Sequence, residues 1–368
     1  MSADRAADLG VAVTPLIRDN AGAWDIAGEV PRDLLRKLAG EGLFCAEVPA
    51  DHGGLGFSSQ ENGRLTAHIG SLCSSLRSVM TSHGMAAWTV QRLGDRHQRA
   101  AYLPLFTGGE LAAVGFSEPN AGSDLSAMTA SLTPDGDHVI VDGDKKWVTA
   151  AAYADHLIIF ARHGTGAAAV VVPASAPGVT IEPVPQPMGC RAAGHATVKL
   201  RGVRVPATAL LGGGDMPLPL LVTTALSYGR ISVAWGCVGI LRACLDVCTA
   251  HARTRRQFGR LLAEHQLVAR HLAELLVSER TATLACERAS HCWDTGSSEM
   301  VIATVLAKHV GAREAAQGAA AAVQVMASAG AQDGHVVARA YRDAKLMEII
   351  EGTNELCQVI LSQHALAR

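Results

Sequence analysis

The spacing of apolar residues changes twice along this chain, and that double change limits what it can fold into. From Trp24 to about Gly109 they recur at helical intervals, as in Leu34, Leu35, Leu38 and Leu43 and again in Leu72, Leu76 and Val79. The break PADHGGLG, from Pro49 to Gly56, holds too many glycines for a helix interior and reads as a loop between helices. Between about Leu111 and Gly214 the apolar residues gather into short runs, HVIVDG, DHLIIFA, AAVVVPA, GVTIEPV and ATVKLRGVRV, which read as strands. Asp135-Gly136, Asp142-Gly143 and Pro177-Gly178 supply turns, so this stretch predicts an antiparallel β-unit. After Pro217 helical spacing returns, around Ser227 to Thr254, Glu264 to Trp293, Met300 to Ala329 and Val336 to Ile350, and predicts a helical bundle. The expected division is a helical unit over residues 1–110, a β-unit over 111–214 and a bundle over 215–368.

With 368 residues, 49% of them hydrophobic, the chain can bury a core large enough to hold an internal site. Aromatics are only 4% and Ala and Gly are abundant, which favours closely packed helices. A net charge of −2, with 32 basic and 34 acidic residues spread along the chain, argues against a nucleic-acid partner. The stretch from Met1 to Asn20 has no long apolar core, and no later run approaches the length of a membrane span. A cytoplasmic protein without a membrane partner is the expectation. Nine cysteines without a Cys-x-x-Cys pair disfavour structural disulfides and a metal site, and Cys244 and Cys248 read as buried free thiols on one helix.

No Walker A motif, Gly-x-Ser-x-Gly elbow or His-Glu-x-x-His pair is present, and the glycines around Gly53 lack the setting of a dinucleotide fingerprint. Four segments carry more information. AVGFSEPNAGSDLSA, from Ala113 to Ala127, is rich in small residues that can approach a planar polar ligand, although a domain-junction loop has the same composition. DGDKKWVTAA ends a strand on which alternation places Trp147 and Thr149 on one side, and a tryptophan taken alone is more often a core residue than a cofactor wall. In HARTRRQFGRLLAEHQ, Arg253, Arg255, Arg256 and Arg260 flank a break between helices, where arginines either clamp a diphosphate or form a solvated face. In YRDAKLMEIIEGTNEL, Glu351 follows Leu346, Met347, Ile349 and Ile350. Apolar company raises a carboxyl pKa toward that of a working base, whereas a water-exposed helix end would leave it ordinary.

Taken together, SEPNAGSD, KKWVTAA, TRRQFGRLLAEHQ and RDAKLMEIIEGTNE resemble the acyl-CoA dehydrogenase superfamily across essentially the whole chain. The resemblance implies a mainly α fold with a central β-domain: an N-terminal helical domain, a β-barrel-like middle domain and a C-terminal four-helix bundle. It implies FAD as cofactor, with Phe116, Ser117 and Ser123 lining the flavin and Trp147 and Thr149 on the opposing strand. By the same resemblance Arg255, Phe258 and Gln324 reach FAD from a neighbouring subunit of a homodimer or homotetramer, and Thr353 and Glu355 lie beside the dinucleotide, where the family often has Gln for Glu355. Glu351 matches the usual catalytic base. The alternative base position of some members is Gly229 here, next to Arg230, which would support the substrate end of the pocket.

SLCSSLRSVMTSHGMAAWTVQRLG and SYGRISVAWGCVGILRAC look like the members that make hydroxymalonyl and methoxymalonyl extender units on acyl carrier protein for polyketide antibiotics. That resemblance implies a short, hydroxylated three-carbon thioester on a carrier protein. Its alternatives are a catabolic short-chain enzyme acting on a CoA thioester and passing electrons to an electron-transfer flavoprotein, and a flavin-binding protein without dehydrogenase activity, against which Glu351 argues. The electron acceptor is not readable from the residues.

Overall fold

A computed structural model describes residues 5–367, so the outer ends of the first and last expected units, at residues 1 and 368, lie outside the described residues. Helices α1 (Arg5–Ile17), α2 (Ala21–Ala27), α3 (Arg32–Gly40), α4 (Ser59–Leu72), α5 (Ser74–Leu93) and α6 (Arg96–Thr107) come first. Reciprocal capping fixes two of their starts: Ser58 with Glu61 opens α4, and Asp95 with Gln98 opens α6. Helix α5 is buried over most of its length although it carries Ser74, Ser75, Arg77, Ser78, Thr81, Ser82 and His83. Buried polar groups need partners, and several of those on α5 find them in neighbouring elements. Ser82 Oγ donates to Thr149 O at 2.9 Å, and Thr81 and Ser232 hydroxyls meet at 2.7 Å.

Eight strands follow: β1 (Ala112–Gly115), β2 (Ser131–Asp135), β3 (His138–Val148), β4 (His156–His163), β5 (Gly166–Pro173), β6 (Val179–Pro183), β7 (Ala196–Pro206) and β8 (Leu210–Met216). They form one sheet in the order β6-β7-β3-β2-β4-β5-β8, with β1 added against β4. Most pairs are antiparallel as expected, but β1 and β2 both pair parallel to β4. The short β1, β2 and β8 escape the apolar-run criterion because each is brief or carries glycine and polar residues. Asp142-Gly143 is not a turn: it lies inside β3, where the register against β7 shifts, and Gly143 at φ +138° forms an irregularity within the ladder.

The third group comprises α7 (Leu218–Thr254), α8 (Gln266–Asp294), α9 (Met300–Met326), α10 (Val336–Met347) and α11 (Asn354–Leu366). A small hairpin of β9 (Arg256–Gln257) and β10 (Arg260–Leu261) separates α7 from α8. By length and composition α7 is apolar enough to cross a membrane, yet 72% of its most apolar window is buried inside the protein. Buried Ala303, Ala307, Ala312, Ala315, Ala319 and Ala322 give α9 a small-residue face on which neighbouring helices pack. All nine cysteines are buried and free.

Candidate active site

Glu351 sits in the loop between α10 and α11 at φ +55°, a left-handed conformation that non-glycine residues adopt only when their surroundings impose it. Those surroundings can be named. Arg230 on α7 donates from Nε to Glu351 O at 3.1 Å, and the Asn354 amide donates to Glu348 O at 2.9 Å. Glu351 Oε2 is shielded from water and has no hydrogen-bond partner. Burial pushes the carboxyl up to about 7, against the opposing pull of Arg230, Lys308 and Arg77. Opposite it lies Gly229: a methyl group there would overlap the Glu351 carboxylate and the Met85 terminal methyl. The missing side chain at the alternative base position is therefore a packing requirement of Glu351.

An aromatic cluster lies beyond Met85. Tyr228 lies so close to Gly84 that a methyl group on Gly84 would overlap its hydroxyl. Trp88 and Trp293 pack behind it, with ring centroids 6.3 and 6.2 Å from Tyr228 and 4.6 Å from each other. Asn62 Nδ2 donates to Tyr228 Oη at 3.2 Å and to Glu47 Oε1 at 2.7 Å. Burial also pushes the Glu47 carboxyl up to about 7.

On the other side, the end of β3 presents Trp147, 56% exposed and at φ +55°. Simple strand alternation does not hold here, since the ladder slips between Lys145 and Val148 and Thr149 lies past the strand. The two side chains nevertheless converge on His195, which lies 3.2 Å from Thr149 Oγ1 through Nδ1 and packs against the Trp147 ring at 5.8 Å. Burial pushes the His195 imidazole down to about 4, so it is neutral near pH 7. A large aromatic left bare beside a hydroxyl and a neutral imidazole suits a flat, partly polar ring, and the flavin implied by the sequence fits that description.

The loop ahead of β2 is anchored from beneath. Lys145 Nζ donates to Glu118 Oε1 at 2.7 Å and to Phe116 O at 3.1 Å, and Glu118 accepts from the amides of Thr129 and Ala130 at 2.7 and 3.0 Å. Burial pushes the Glu118 carboxyl up, but the bonds from Lys145 and Thr129 more than reverse this and hold it below its ordinary value. Phe116 stacks on Phe160 at 4.1 Å, Ser117 is half-buried, and Ser123 is exposed toward the loop tip.

The remaining predicted residues lie apart. Arg255 and Phe258 project from the β9–β10 region, Phe258 being 94% exposed, and Gln324 is exposed on α9. Among the described residues no hydrogen bond joins these three to the Glu351 cluster. Thr353 caps α11 by accepting from the Leu356 amide at 3.2 Å, and Glu355 is exposed in its first turn. Sequence reasoning passes over His195, Glu118, Lys145, Arg77 and Lys308. Only Lys308 leaves a local trace, as a lone cation in the apolar stretch TVLAKHVGA. A surface groove of about 530 Å³ lined by Arg32, Glu110, Asp155 and His156 lies elsewhere. Its charges are paired, Arg32 with Asp155 and Glu110 with His156, and none of its carboxylates is without a partner as Glu351 Oε2 is.

Residues 12–110, 113–203 and 220–366 match the N-terminal, middle and C-terminal domains of acyl-CoA dehydrogenases. The chain is 31% identical over 353 residues to a probable acyl-CoA dehydrogenase, YngJ, of Bacillus subtilis, covering 93% of this chain and 92% of that one. A solved structure described as FkbI for biosynthesis of the methoxymalonyl extender unit of the FK520 polyketide immunosuppressant is 62% identical and superposes with a TM-score of 0.94, covering 98% of this chain and 99% of its own. Glutaryl-CoA dehydrogenase from Mycobacterium smegmatis superposes with a TM-score of 0.94 at 27% identity, over 100% of this chain and 95% of its own. Helices, mixed sheet and bundle thus recur in the same order in enzymes of one chemistry, and the chain belongs to the acyl-CoA dehydrogenase family as an FAD-dependent oxidoreductase.

Proposed function

We propose that this enzyme oxidises a short, hydroxylated three-carbon acyl thioester on an acyl carrier protein, as a step toward a polyketide extender unit, with Glu351 as catalytic base. The observation that carries the chemistry is the Glu351 carboxyl, buried, unpaired at Oε2 and poised near neutrality. The aromatic cluster of Tyr228, Trp88 and Trp293 beyond Met85 supports a short acyl group. The 62% identity to a protein described as serving methoxymalonyl extender-unit biosynthesis supports the carrier-bound, oxygen-bearing substrate.

In this reading Glu351 removes a proton from the acyl group, and Arg230 keeps the base aligned through the Glu351 carbonyl. FAD, when bound, supplies the acceptor for the departing hydride. Phe116, Ser117, Ser123, Trp147 and Thr149 hold its ring region, and Thr353 and Glu355 lie beside the dinucleotide. Arg255, Phe258 and Gln324, all exposed here, serve the FAD of a partner subunit in a homodimer or homotetramer. The three units, 1–110, 111–214 and 215–368, act as domains that enclose the site between them.

The test is mass spectrometry of acyl carrier protein loaded with a glyceryl group and incubated with the FAD-loaded enzyme and an electron acceptor. The expected product lacks two hydrogen atoms. An unchanged carrier-bound group, with brisk turnover of butyryl-CoA, would replace this reading by that of a catabolic short-chain dehydrogenase.

A further inference from the structure

Lys308 lies on α9 with none of its surface exposed, and among the described residues it has no carboxylate partner. A buried cation without a counter-ion is costly unless its donors are fully used. Here they are used on one loop. Nζ donates to Gly352 O at 2.6 Å and makes longer contacts, both 3.4 Å, with Glu348 O and Asn354 Oδ1. Two of these acceptors belong to the turn between α10 and α11 that carries Glu351, and the third, Asn354, is the first residue of α11.

Arg230, from α7, takes the neighbouring carbonyl, that of Glu351 itself, at 3.1 Å. Two cations from two different helices thus grip two successive carbonyls, and Glu351, which carries the first of them, is held in the left-handed region. Cys357 Sγ adds a weak contact to Gly352 O at 3.7 Å. Helix α10 ends at Met347, and the contact with Glu348 O places the ammonium at the negative end of that helix.

We propose that Lys308 is a positioning residue for the catalytic base, holding the Glu351 loop in its strained conformation through the Gly352 carbonyl and supplying positive charge behind the carboxylate. The inference rests on Glu351 being the base. The charged and titratable groups that face Glu351 are Arg230 from α7, Lys308 from α9 and Arg77 from α5. Those facing Lys308 are Cys357 from α11, Cys237 and Arg230 from α7, and Glu351. Burial and Arg77 act on Glu351 whether or not Lys308 is present. Removing the ammonium therefore moves the carboxyl further up.

Two substitutions separate the hydrogen bond from the charge. Lys308→Gln retains a donor and loses the charge, while Lys308→Met loses both. The FAD-loaded proteins are compared by anaerobic stopped-flow reduction across pH, with FAD content and substrate KM as controls. In Lys308→Gln the acid limb of the rate profile moves up by at least about 0.5 pH unit, with the high-pH plateau within about threefold of wild type. In Lys308→Met the limb moves the same way and the plateau falls by roughly tenfold or more, because the base is no longer held in line. FAD content and KM stay within about twofold in both, as the Lys308 side chain is fully buried and its bonds go to Gly352, Glu348 and Asn354. Unchanged limb and plateau in Lys308→Gln overturn the proposal. Loss of fold in both variants also counts against it, since it would make Lys308 a residue of the core and not of the site. A Glu351→Gln enzyme that still reduces its flavin would instead overturn the assignment of the base.

Discussion

Glu351→Gln should make the enzyme nearly inactive and more stable at alkaline pH. Burial raises the Glu351 carboxyl from 4.5 to about 7, so the folded protein holds this proton more tightly than the unfolded chain. Stability from the protonated group is fully present below the unfolded value and is lost as pH rises through the folded one. A rise of about two and a half units corresponds to roughly 3 kcal/mol as an upper bound. Partial exposure of the residue and relaxation on ionisation reduce this to about 1–2 kcal/mol. Glutamine cannot ionise and keeps that stability at every pH. Glu47 has a rise of the same sign, but it is common to both proteins and cancels in their difference. Thermal unfolding of the FAD-loaded proteins should show Glu351→Gln melting higher at pH 8 and nearly level with wild type at pH 5. Stopped-flow reduction should be slower by at least about a hundredfold, and in wild type its rate should climb to a plateau above about pH 7 as the base ionises. A melting gain equal at both pH values, or none at pH 8, would refute the account of a carboxylate held against its own desolvation.

Gly229→Ala places a methyl group where the Glu351 carboxylate and Met85 now lie, so reduction should slow by roughly tenfold or more with FAD content unchanged. Normal rates would mean that the loop yields freely. Arg255→Ala should lower FAD content measured by absorbance, because the proposed diphosphate contact loses a charge-assisted bond worth about 1.5–3 kcal/mol. Full occupancy in that variant would remove Arg255 from the cofactor site.

The outlines of the fold were legible because a change in apolar period records what each segment packs against, and long runs of one period leave little choice. Strands β1, β2 and β8 were not, since four to seven residues mixed with glycine, proline or aspartate carry no measurable alternation. Trp147 shows the same limit more sharply. Alternation places it beside Thr149, and the two do meet at His195, but by way of a left-handed residue and a slipped ladder that no strand pattern encodes.

Glu351 divides the same way. Its desolvation could be read locally, from Leu346, Met347, Ile349 and Ile350 just ahead of it, and the structure shows a carboxyl raised by burial. Its opposing charges could not, because Arg230 bonds to it across 121 residues and Lys308 bonds to Gly352 across 44. A base near neutrality needs both halves: burial alone would leave the carboxyl protonated at working pH, and three cations alone would leave it too weak to take a proton. Apolar neighbours in sequence supply the first half. Distant helices supply the second, which is why a short motif can mark the base while the groups that set its strength come from α5, α7 and α9.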